Sequence, residues 1–289
     1  MSAAALRIVS RSHDIGGGLV VRRALPHGLA RSVGPFVFFD EFGPIQVPPG
    51  NAADVRPHPH IGLATMTYLL TGSLVHRDSL GTVQEICPGD VNLMSAGRGI
   101  VHSERATDAA RANGQLLHGV QTWLALPLAQ EESPPWFRHY PEAELPRLQR
   151  PDVAIHLLIG RAYGAVSPVA APSPTLCAIL QLVTGTPHEI EADTAERAIY
   201  VISGAVDIDG QHIACNELAV LHRGTTRLIA LEDSRLVLFG GDPLDGPRHL
   251  WWNFVASTRE RIARAKQDWS EQRFALVPDE TGFIAPPDR

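Results

Sequence analysis

Residues 55–60 read Val-Arg-Pro-His-Pro-His, and residues 97–104 read Gly-Arg-Gly-Ile-Val-His-Ser-Glu. Successive side chains of a β-strand alternate between its two faces, so His58 and His60 share one face, as do His102 and Glu104. Two such strands side by side bring three imidazoles and one carboxylate into one pocket. This donor set suits a first-row divalent metal, because imidazole binds Fe, Zn, Cu and Ni, and a carboxylate oxygen favours Fe and Mn.

The residues between these two patterns predict a run of short strands joined by tight turns. Residues 65–70 read Thr-Met-Thr-Tyr-Leu-Leu and are followed by Thr71-Gly72, while Pro88-Gly-Asp90 marks a later turn. Short strands separated by Gly and Pro turns are typical of a small antiparallel barrel. Pro57 and Pro59 cannot donate to a sheet ladder, so the first histidine strand is an edge or a strand beginning, close to an opening.

Several further segments carry a family resemblance. They are Phe38-Phe-Asp-Glu-Phe-Gly-Pro44, His58-Pro-His-Ile-Gly62, Thr67-Tyr-Leu-Leu-Thr-Gly72, Ala96-Gly-Arg-Gly-Ile-Val-His-Ser-Glu104, His118-Gly-Val-Gln-Thr-Trp123 and Gly240-Gly-Asp-Pro-Leu244. On these segments the chain resembles the pirin family of the cupin superfamily. The resemblance implies an all-β fold of two cupin-type (jelly-roll) β-barrels in tandem with a short C-terminal helix. It also implies one mononuclear metal in the N-terminal barrel, held by residues matching His58, His60, His102 and Glu104.

The resemblance implies a function as well. Bacterial pirins are associated with cleavage of flavonols such as quercetin by dioxygen, so the expected partners are a small flavonol-like aromatic substrate and dioxygen. The expected cofactor is one divalent transition metal per chain, Fe(II) first, with Mn, Ni, Cu, Co and Zn as alternatives. Glu104 is then the candidate catalytic base. A second function stays open, in which the chain is a non-enzymatic metal-binding or redox-sensing regulatory protein that acts through a protein partner.

A proline-rich stretch and an internal repeat predict the domain organisation. Residues 127–151 contain six prolines, which predicts a linker with little regular structure between a metal-binding barrel at 1–126 and a second barrel at 152–289. Tyr68-Leu-Leu-Thr-Gly-Ser-Leu74 matches Tyr200-Val-Ile-Ser-Gly-Ala-Val206 at an offset of 132. Carried across the repeat, the four ligand positions fall on Ile190, Ala192, Ile229 and Leu231. The second barrel is therefore expected to lack metal ligands.

The remaining histidines of the second half, His188, His212 and His222, share no ligand spacing and are expected on the surface or in loops. For His76 two positions stay open, beside the metal ligands or solvated on the strand, and we favour the solvated position. Near the C-terminus, Ser257-Thr-Arg-Glu260 has the form of a capping box and predicts a helix that packs through Ile262, Ala265 and Trp269.

Composition excludes several classes of function. The net charge is −6 over 289 residues, and the basic residues are scattered, so direct nucleic-acid binding is disfavoured. The first residues lack the apolar core of a signal peptide, and we find no apolar run of membrane-spanning length, so we expect a cytoplasmic protein with no membrane partner. Cys87, Cys177 and Cys215 form no CxxC pattern and are expected to be reduced and buried.

One motif departs from the family. Pirins usually read His-Pro-His-Arg-Gly-Phe-Glu-Thr, whereas residues 58–65 read His-Pro-His-Ile-Gly-Leu-Ala-Thr. Strand alternation continued from His58 and His60 places Ala64 on the metal-facing side, where the missing carboxylate would leave space. We therefore predict that the metal still binds, that flavonol turnover is weak, and that an Ala64→Glu substitution raises it.

Overall fold

The computed structural model describes residues 5–16, 19–191 and 193–287. Ala192, onto which the repeat carries His60, lies outside the described residues, as do the first four residues of the chain. The strands are β1 Leu6–Val9, β2 Arg11–Asp14, β3 Val20–Leu25, β4 Phe36–Val47, β5 Val55–His60, β6 Leu63–Thr71, β7 Leu74–Asp78, β8 Val83–Ile86, β9 Val91–Ser95, β10 Ile100–Arg105, β11 Gln115–Ala125, β12 Trp136–Tyr140, β13 Arg147–Gln149, β14 Val153–Ile159, β15 Arg161–Ala162, β16 Ala165–Val166, β17 Thr175–Leu182, β18 Pro187–Ile190, β19 Glu196–Ser203, β20 Ala205–Ile208, β21 Gln211–Ala214, β22 Glu217–Val220, β23 Thr226–Ala230, β24 Ser234–Gly241, β25 His249–Trp251 and β26 Phe254–Ala256.

Helical structure is confined to short segments. The α-helices are α1 Asp108–Asn113 and α2 Arg259–Ser270, and single 3-10 turns cover Leu128–Gln130 and Glu142–Glu144. In the described part of the chain, neither helix has the length and apolar character needed to cross a membrane. The predicted all-β class with a short C-terminal helix is confirmed.

The chain folds into two compact units. The N-terminal unit comprises the described residues of His13–Val21, Glu41–Glu142 and Leu244–Arg289, so it includes α2 and the C-terminal segment. The C-terminal unit comprises the described residues of Met1–Ser12, Arg22–Asp40 and Ala143–Pro243. This grouping differs from the predicted partition, in which α2 closes the second barrel, and the predicted boundaries at 126 and 151 stay a prediction.

Within the N-terminal unit, a four-stranded antiparallel sheet has the order β5-β10-β7-β8, and a larger sheet contains the run β12-β9-β6-β11. Leu69, Leu74, Ile86 and Leu117, from four of these strands, belong to one apolar cluster. The edge position predicted from Pro57 and Pro59 is correct, because β5 ends the four-stranded sheet.

The two larger sheets of the C-terminal unit are also antiparallel. Their orders are β1-β22-β19-β24-β17-β14-β13 and β18-β23-β20-β21. The side chains enclosed there form one large apolar core that includes Ile155, Leu180, Ile199, Val206 and Leu236, each buried. Apolar side chains therefore occupy the interior of this barrel.

The proline-rich stretch is more regular than predicted. Its β12 pairs with β9 over five residues, from Trp136 opposite Ser95 to Tyr140 opposite Val91, and its β13 pairs with β14. The prolines lie just outside these strands, at positions 134, 135, 141, 146 and 151, where the missing N–H costs no ladder bond. Pairing with a partner strand thus overrides the local composition.

The C-terminal helix begins one residue later than the capping box implies. Thr258 is the N-cap, and its side chain accepts a hydrogen bond from the Arg261 N–H. Ser257 instead binds the carboxylate of Glu131, through its N–H at 3.0 Å and its hydroxyl at 2.5 Å. The predicted packing face is confirmed, since Ile262, Ala265 and Trp269 are the buried residues of α2.

The cysteines are all free, as expected, but only one is buried. Cys177 is buried, whereas Cys87 and Cys215 are exposed. The expectation of burial was wrong for these two, because each lies at a turn rather than inside a strand.

Candidate metal centre

Strands β5 and β10 pair antiparallel and bring the two sequence patterns together. His102 lies opposite His58, and Ile100 lies opposite His60. The register shifts between His102 and Glu104, so that Glu104 lies opposite Val55. Such bulges are common beside functional sites, where they redirect a side chain.

Three imidazoles converge at this point. Among the described residues, His58, His60 and His102 are the group of His, Cys, Asp and Glu side chains whose ligand atoms all lie within 4.8 Å of one another. Their ring centroids are 4.3 to 5.0 Å apart. The Nε2 atoms of His60 and His102 are 3.0 Å apart. All three side chains are buried. Imidazole nitrogens this close to one another, away from solvent, are arranged as a metal site requires.

Two of the rings are held from behind by backbone carbonyls. His58 Nδ1 lies 2.9 Å from the Arg56 carbonyl oxygen, and His60 Nδ1 lies 3.2 Å from the Asn253 carbonyl oxygen. A carbonyl only accepts, so each Nδ1 carries the proton and each Nε2 keeps its lone pair. This arrangement, a ring N–H donated to a carbonyl with the other nitrogen directed inward, is the usual support of a metal-binding histidine.

Burial also fixes the charge state of the cluster. The pKa of His58 is lowered, first by burial, although the nearby Glu104 charge opposes this. The pKa values of His60 and His102 are lowered well below the usual range by burial and by the neighbouring imidazoles. The rings are therefore neutral at pH 7, which is the form that binds metals. Together with the buried Nδ1 of His102, which has no hydrogen-bond partner among the described residues, these features fit a single metal ion.

Glu104 lies beside the imidazoles and is held by an amide. Gln121 Nε2, on β11, donates to Glu104 Oε1 at 2.6 Å, and the same nitrogen is 3.4 Å from Thr67 Oγ1. The carboxylate is half-buried and close enough to His58 to act on its pKa. The role of Glu104 as fourth ligand stays a prediction. Gln121 was missed by the sequence reasoning, because only the pairing of β6 with β11 brings it to the site.

His76 is not solvated, and the expectation was wrong. It is buried, and its Nε2 lies 3.0 Å from Asp78 Oδ2. Its ring stacks on Phe137 with a centroid distance of 4.3 Å and lies 5.3 Å from the His102 ring. The burial of His76 depends on strand pairing, which a single sequence does not reveal: Asp78, its partner, lies opposite His102 in the β10–β7 pair. His76 therefore forms part of the surroundings of the cluster.

Ala64 does not face the cluster, which corrects the alternation argument. Strand β5 ends at His60, and a turn through Gly62, with φ of +64°, intervenes before β6. On β6 it is Thr65 that lies opposite Trp123, whose ring contacts His60 with a centroid distance of 5.2 Å. Directly opposed side chains share a face, so Ala64 points to the other side. The physical basis for an effect of Ala64→Glu on the metal is removed.

The C-terminal unit presents a different interior at the matching positions. Ile190 is buried, Ile229 is half-buried, and Leu231 is exposed, so these three described positions supply no ligand, as predicted. His212 is exposed, in agreement with the expectation. His188 is the exception: it is buried on β18, where it binds Asp152 at 2.5 Å and the Tyr163 hydroxyl at 3.0 Å. It satisfies two polar groups, and no second imidazole lies beside it among the contacts described.

Comparison with known proteins gives one consistent result. The Pirin family model matches residues 18–124, and that of the Pirin C-terminal cupin domain matches residues 178–275. A pirin-like protein from Caulobacter vibrioides is 42% identical over 281 residues, which is 96% of both chains. Pirin from Homo sapiens is 33% identical, covering 91% of each chain. A crystal structure of quercetin 2,3-dioxygenase from Acinetobacter baumannii has a TM-score of 0.92 at 34% identity, covering 99% of this chain and 96% of that one. These matches confirm the tandem cupin fold.

Proposed function

The chain belongs to the pirin family, and from this premise we propose that it is a metal-dependent dioxygenase that cleaves flavonols such as quercetin. A relative of nearly full coverage carries the name quercetin 2,3-dioxygenase, which supports the substrate class. The observation that carries the proposal is the convergence of three buried, neutral imidazoles within 4.8 Å of one another. A cluster that only stabilised the fold would gain more from apolar side chains, because burying unpaired imidazole nitrogens is unfavourable.

The proposed cofactor is one divalent metal, held by His58, His60 and His102 with Glu104 as the fourth ligand. Three imidazoles and one carboxylate suit Fe(II) best, and Mn, Ni, Co, Cu and Zn are compatible with the same donors. When bound, such an ion supplies Lewis acidity that lowers the pKa of a coordinated hydroxyl group. The backbone carbonyls of Arg56 and Asn253 keep His58 and His60 oriented for this role.

Glu104 and Gln121 handle the proton of the substrate hydroxyl in this proposal. Gln121 donates to Glu104 Oε1, so the Oε2 atom is assigned to take the proton once the carboxylate loosens from its ligand position. An amide donor stabilises the charged carboxylate and fixes its plane before substrate arrives. Glu104 therefore acts as the general base, and Gln121 keeps the base in position.

Aromatic and apolar side chains exclude water around the cluster. Trp123 contacts the His60 ring, and Phe137 stacks on His76. Phe137 also packs against the buried Met94, Ala96 and Ile100. A dry, apolar surrounding strengthens the electrostatic interactions at the site and suits a flat aromatic substrate.

Turnover of quercetin by the iron-loaded protein tests the proposal. We expect loss of the flavonol absorbance that depends on dioxygen, with release of carbon monoxide, and no loss with the His102→Ala variant. A Glu104→Gln variant that keeps its metal is expected to lose at least about 100-fold in rate, as removal of a general base commonly does. Metal binding without any flavonol cleavage would overturn the enzymatic assignment and favour the regulatory function.

A further inference from the structure

The C-terminal segment, residues 271–287, returns from α2 to the two strands that carry the histidines. It belongs to the same compact unit as the cluster. The segment has no regular secondary structure, yet it contacts β10 through Glu280 and β5 through Ile284. It therefore contacts both ligand-bearing strands, β10 through a side chain and β5 through the backbone.

The described side-chain hydrogen bonds between the segment and β10 are made by a single carboxylate, that of Glu280. Glu280 Oε1 accepts from Ser103 Oγ and from Arg105 Nε, each at 2.8 Å, and Arg105 Nη2 binds Oε2. Its side chain is 8% exposed. Ser103 and Arg105 alternate along the strand with His102 and Glu104. Because alternate side chains lie on opposite faces, Glu280 fixes the reverse side of the strand that presents both of these residues.

A second carboxylate extends this attachment. Asp54 accepts from the Ala106 N–H at 2.9 Å, from Arg111 at 2.6 Å and from Arg105 Nη1 at 3.3 Å. Arg105 thus bridges the two carboxylates: its Nη1 binds Asp54, and its Nη2 binds Glu280. The end of β10, just after its bulge, is held in one place by this network.

The contact with β5 uses the free edge of that strand. As an edge strand containing Pro57 and Pro59, β5 has few donors of its own. The Ile284 N–H donates to the Pro57 carbonyl at 2.8 Å, and the Trp269 Nε1–H donates to the Ile284 carbonyl at 3.1 Å. One residue of the segment therefore connects α2 to the residue preceding His58.

An apolar cluster seats the segment around these polar contacts. Trp269 contacts the rings of Phe274 and Phe283, with centroid distances of 5.7 and 5.5 Å. Val277 is buried in the cluster that also contains Ile61 and Val101. A small cavity of about 140 Å³ remains between the segment and the strands, lined in part by Pro57 and Glu280. The segment is therefore packed in place rather than attached by Glu280 alone.

We propose that the C-terminal segment positions the metal ligands, with Glu280 as the positioning residue for β10. This inference rests on the metal centre assigned above. Groups that hold a metal ligand from behind commonly contribute about 10- to 100-fold to metal affinity. Loss of Glu280 frees the reverse side of β10 and leaves the Arg105 charge without its main partner. His102 and Glu104 then sample a wider range of positions, and the folded protein binds its metal more weakly.

The test measures metal affinity of the folded chain by competition with a chelator, using Co(II). Glu280→Ala is expected to weaken the affinity about 10-fold, within the range found for groups that support ligands from behind. Glu280→Gln retains an acceptor for Ser103 but not the charge that Arg105 needs, so its loss is expected to be smaller. The absorption bands of bound Co(II) are expected to change with Glu280→Ala, because they report ligand geometry.

Glu271→Ala is the matched control. Glu271 starts the same segment, but it binds Gln267 and Arg273 and does not touch β10 among its described contacts. It is expected to keep the wild-type affinity and spectrum. Thermal unfolding of each metal-free variant confirms that the titrated protein is folded.

Two results overturn the inference. One is a Glu280→Ala variant that is folded and binds Co(II) within about twofold of the wild type with an unchanged spectrum, which leaves the metal centre itself intact. The other is a wild-type protein that takes up no metal, which removes the proposed function as well. The wild-type titration therefore separates failure of the inference from failure of the proposed function.

Discussion

The two barrels of this chain place very different groups at corresponding positions. At the start of the N-terminal pattern, His58 and His60 direct neutral imidazole nitrogens inward, where they suit an added cation. The internal repeat aligns His58 with Ile190 of the C-terminal unit. There the carbonyl oxygen of Ile190 accepts a hydrogen bond from a cationic side chain of the same unit. That cation is the guanidinium of Arg197, which is 1% exposed.

Arg197 is surrounded by backbone carbonyls. Its two terminal nitrogens donate to the carbonyl oxygens of Ile190, Glu191, His222 and Gly224. It thereby joins the end of β18 to the loop after β22 within one unit. The comparison teaches that a cupin barrel can enclose a cation in two ways. The cation is either an arginine side chain of the chain itself, which stabilises the fold, or an ion that neutral imidazole nitrogens can bind.

The His102→Ala substitution is the strongest way to break this comparison. Loss of a group that merely supports a ligand costs about 10- to 100-fold in metal affinity, so loss of a ligand is expected to cost more than about 100-fold. The measurement is a metal titration against a competing chelator. His188→Ala, at a buried histidine of the C-terminal unit, is the control and is expected to keep its full affinity. Equal losses in the two variants would contradict the division of roles.

Arg197→Ala tests the other half of the comparison. Removal of the guanidinium leaves four carbonyls without their donor, so we expect the free energy of unfolding to fall by about 3 kcal/mol or more, with metal affinity unchanged. Denaturant unfolding measures this change. The exposed Arg227 on β23 provides the control, and Arg227→Ala is expected to cost less than about 0.5 kcal/mol. A large loss of metal in Arg197→Ala would show that the cation is not purely structural.

Gln121→Leu sharpens the account of the N-terminal barrel. The substitution removes the 2.6 Å hydrogen bond to Glu104 Oε1 but leaves the three imidazoles in place. We expect flavonol turnover to fall by about 10- to 100-fold while the metal stays bound. Gln84→Leu on the outer strand β8 should leave both properties as they are. Unchanged turnover in Gln121→Leu would show that the amide does not position the base.

The predicted linker offers a test of the boundary between the barrels. Exposed stretches lie on either side of β12, at residues 128–130 and 143–144, whereas β12 itself is paired with β9. Limited proteolysis is expected to cut first in these stretches and to give two fragments of roughly equal size. First cleavage within β6 to β9 would contradict the boundary.

The smallest expected effect concerns the pH dependence of stability. In the C-terminal unit, burial and the nearby Arg147 lower the pKa of His156 from 6.5 to about 4. Between these values the unfolded chain binds the proton and the folded chain does not, so this residue lowers stability as pH falls from 6.5 towards 4. Unfolding of the metal-free His156→Leu variant at pH 7 and pH 5 should therefore show a smaller drop than the wild type. An equal drop in both proteins would exclude this contribution.

Much of the site was predictable because its signal is local. The His58, His60 and His102 pattern needs only strand alternation within β5 and within β10, and the family resemblance places those strands together. The residues that were missed depend on pairing between distant strands. Gln121 reaches Glu104 through the β6–β11 register, and His76 is covered by Phe137 of the proline-rich stretch.

The errors have a common physical origin. Alternation fails at Ala64 because a turn at Gly62 separates β5 from β6. His188 was expected on the surface or in a loop, but it is buried with hydrogen-bond partners of its own. A polar residue is buried only where the fold supplies hydrogen-bond partners for it, and a single sequence does not reveal those partners.

The number of metal ions per chain tests the central claim most directly. The wild-type protein, purified without metal and titrated with Co(II) or Fe(II), is analysed for bound metal after removal of the excess. One ion per chain, lost in His102→Ala and kept in His188→Ala, is the result that this account predicts. Two tightly held ions per chain, or one ion that survives His102→Ala, would contradict the assignment of chemistry to the N-terminal barrel and of structure to the C-terminal one.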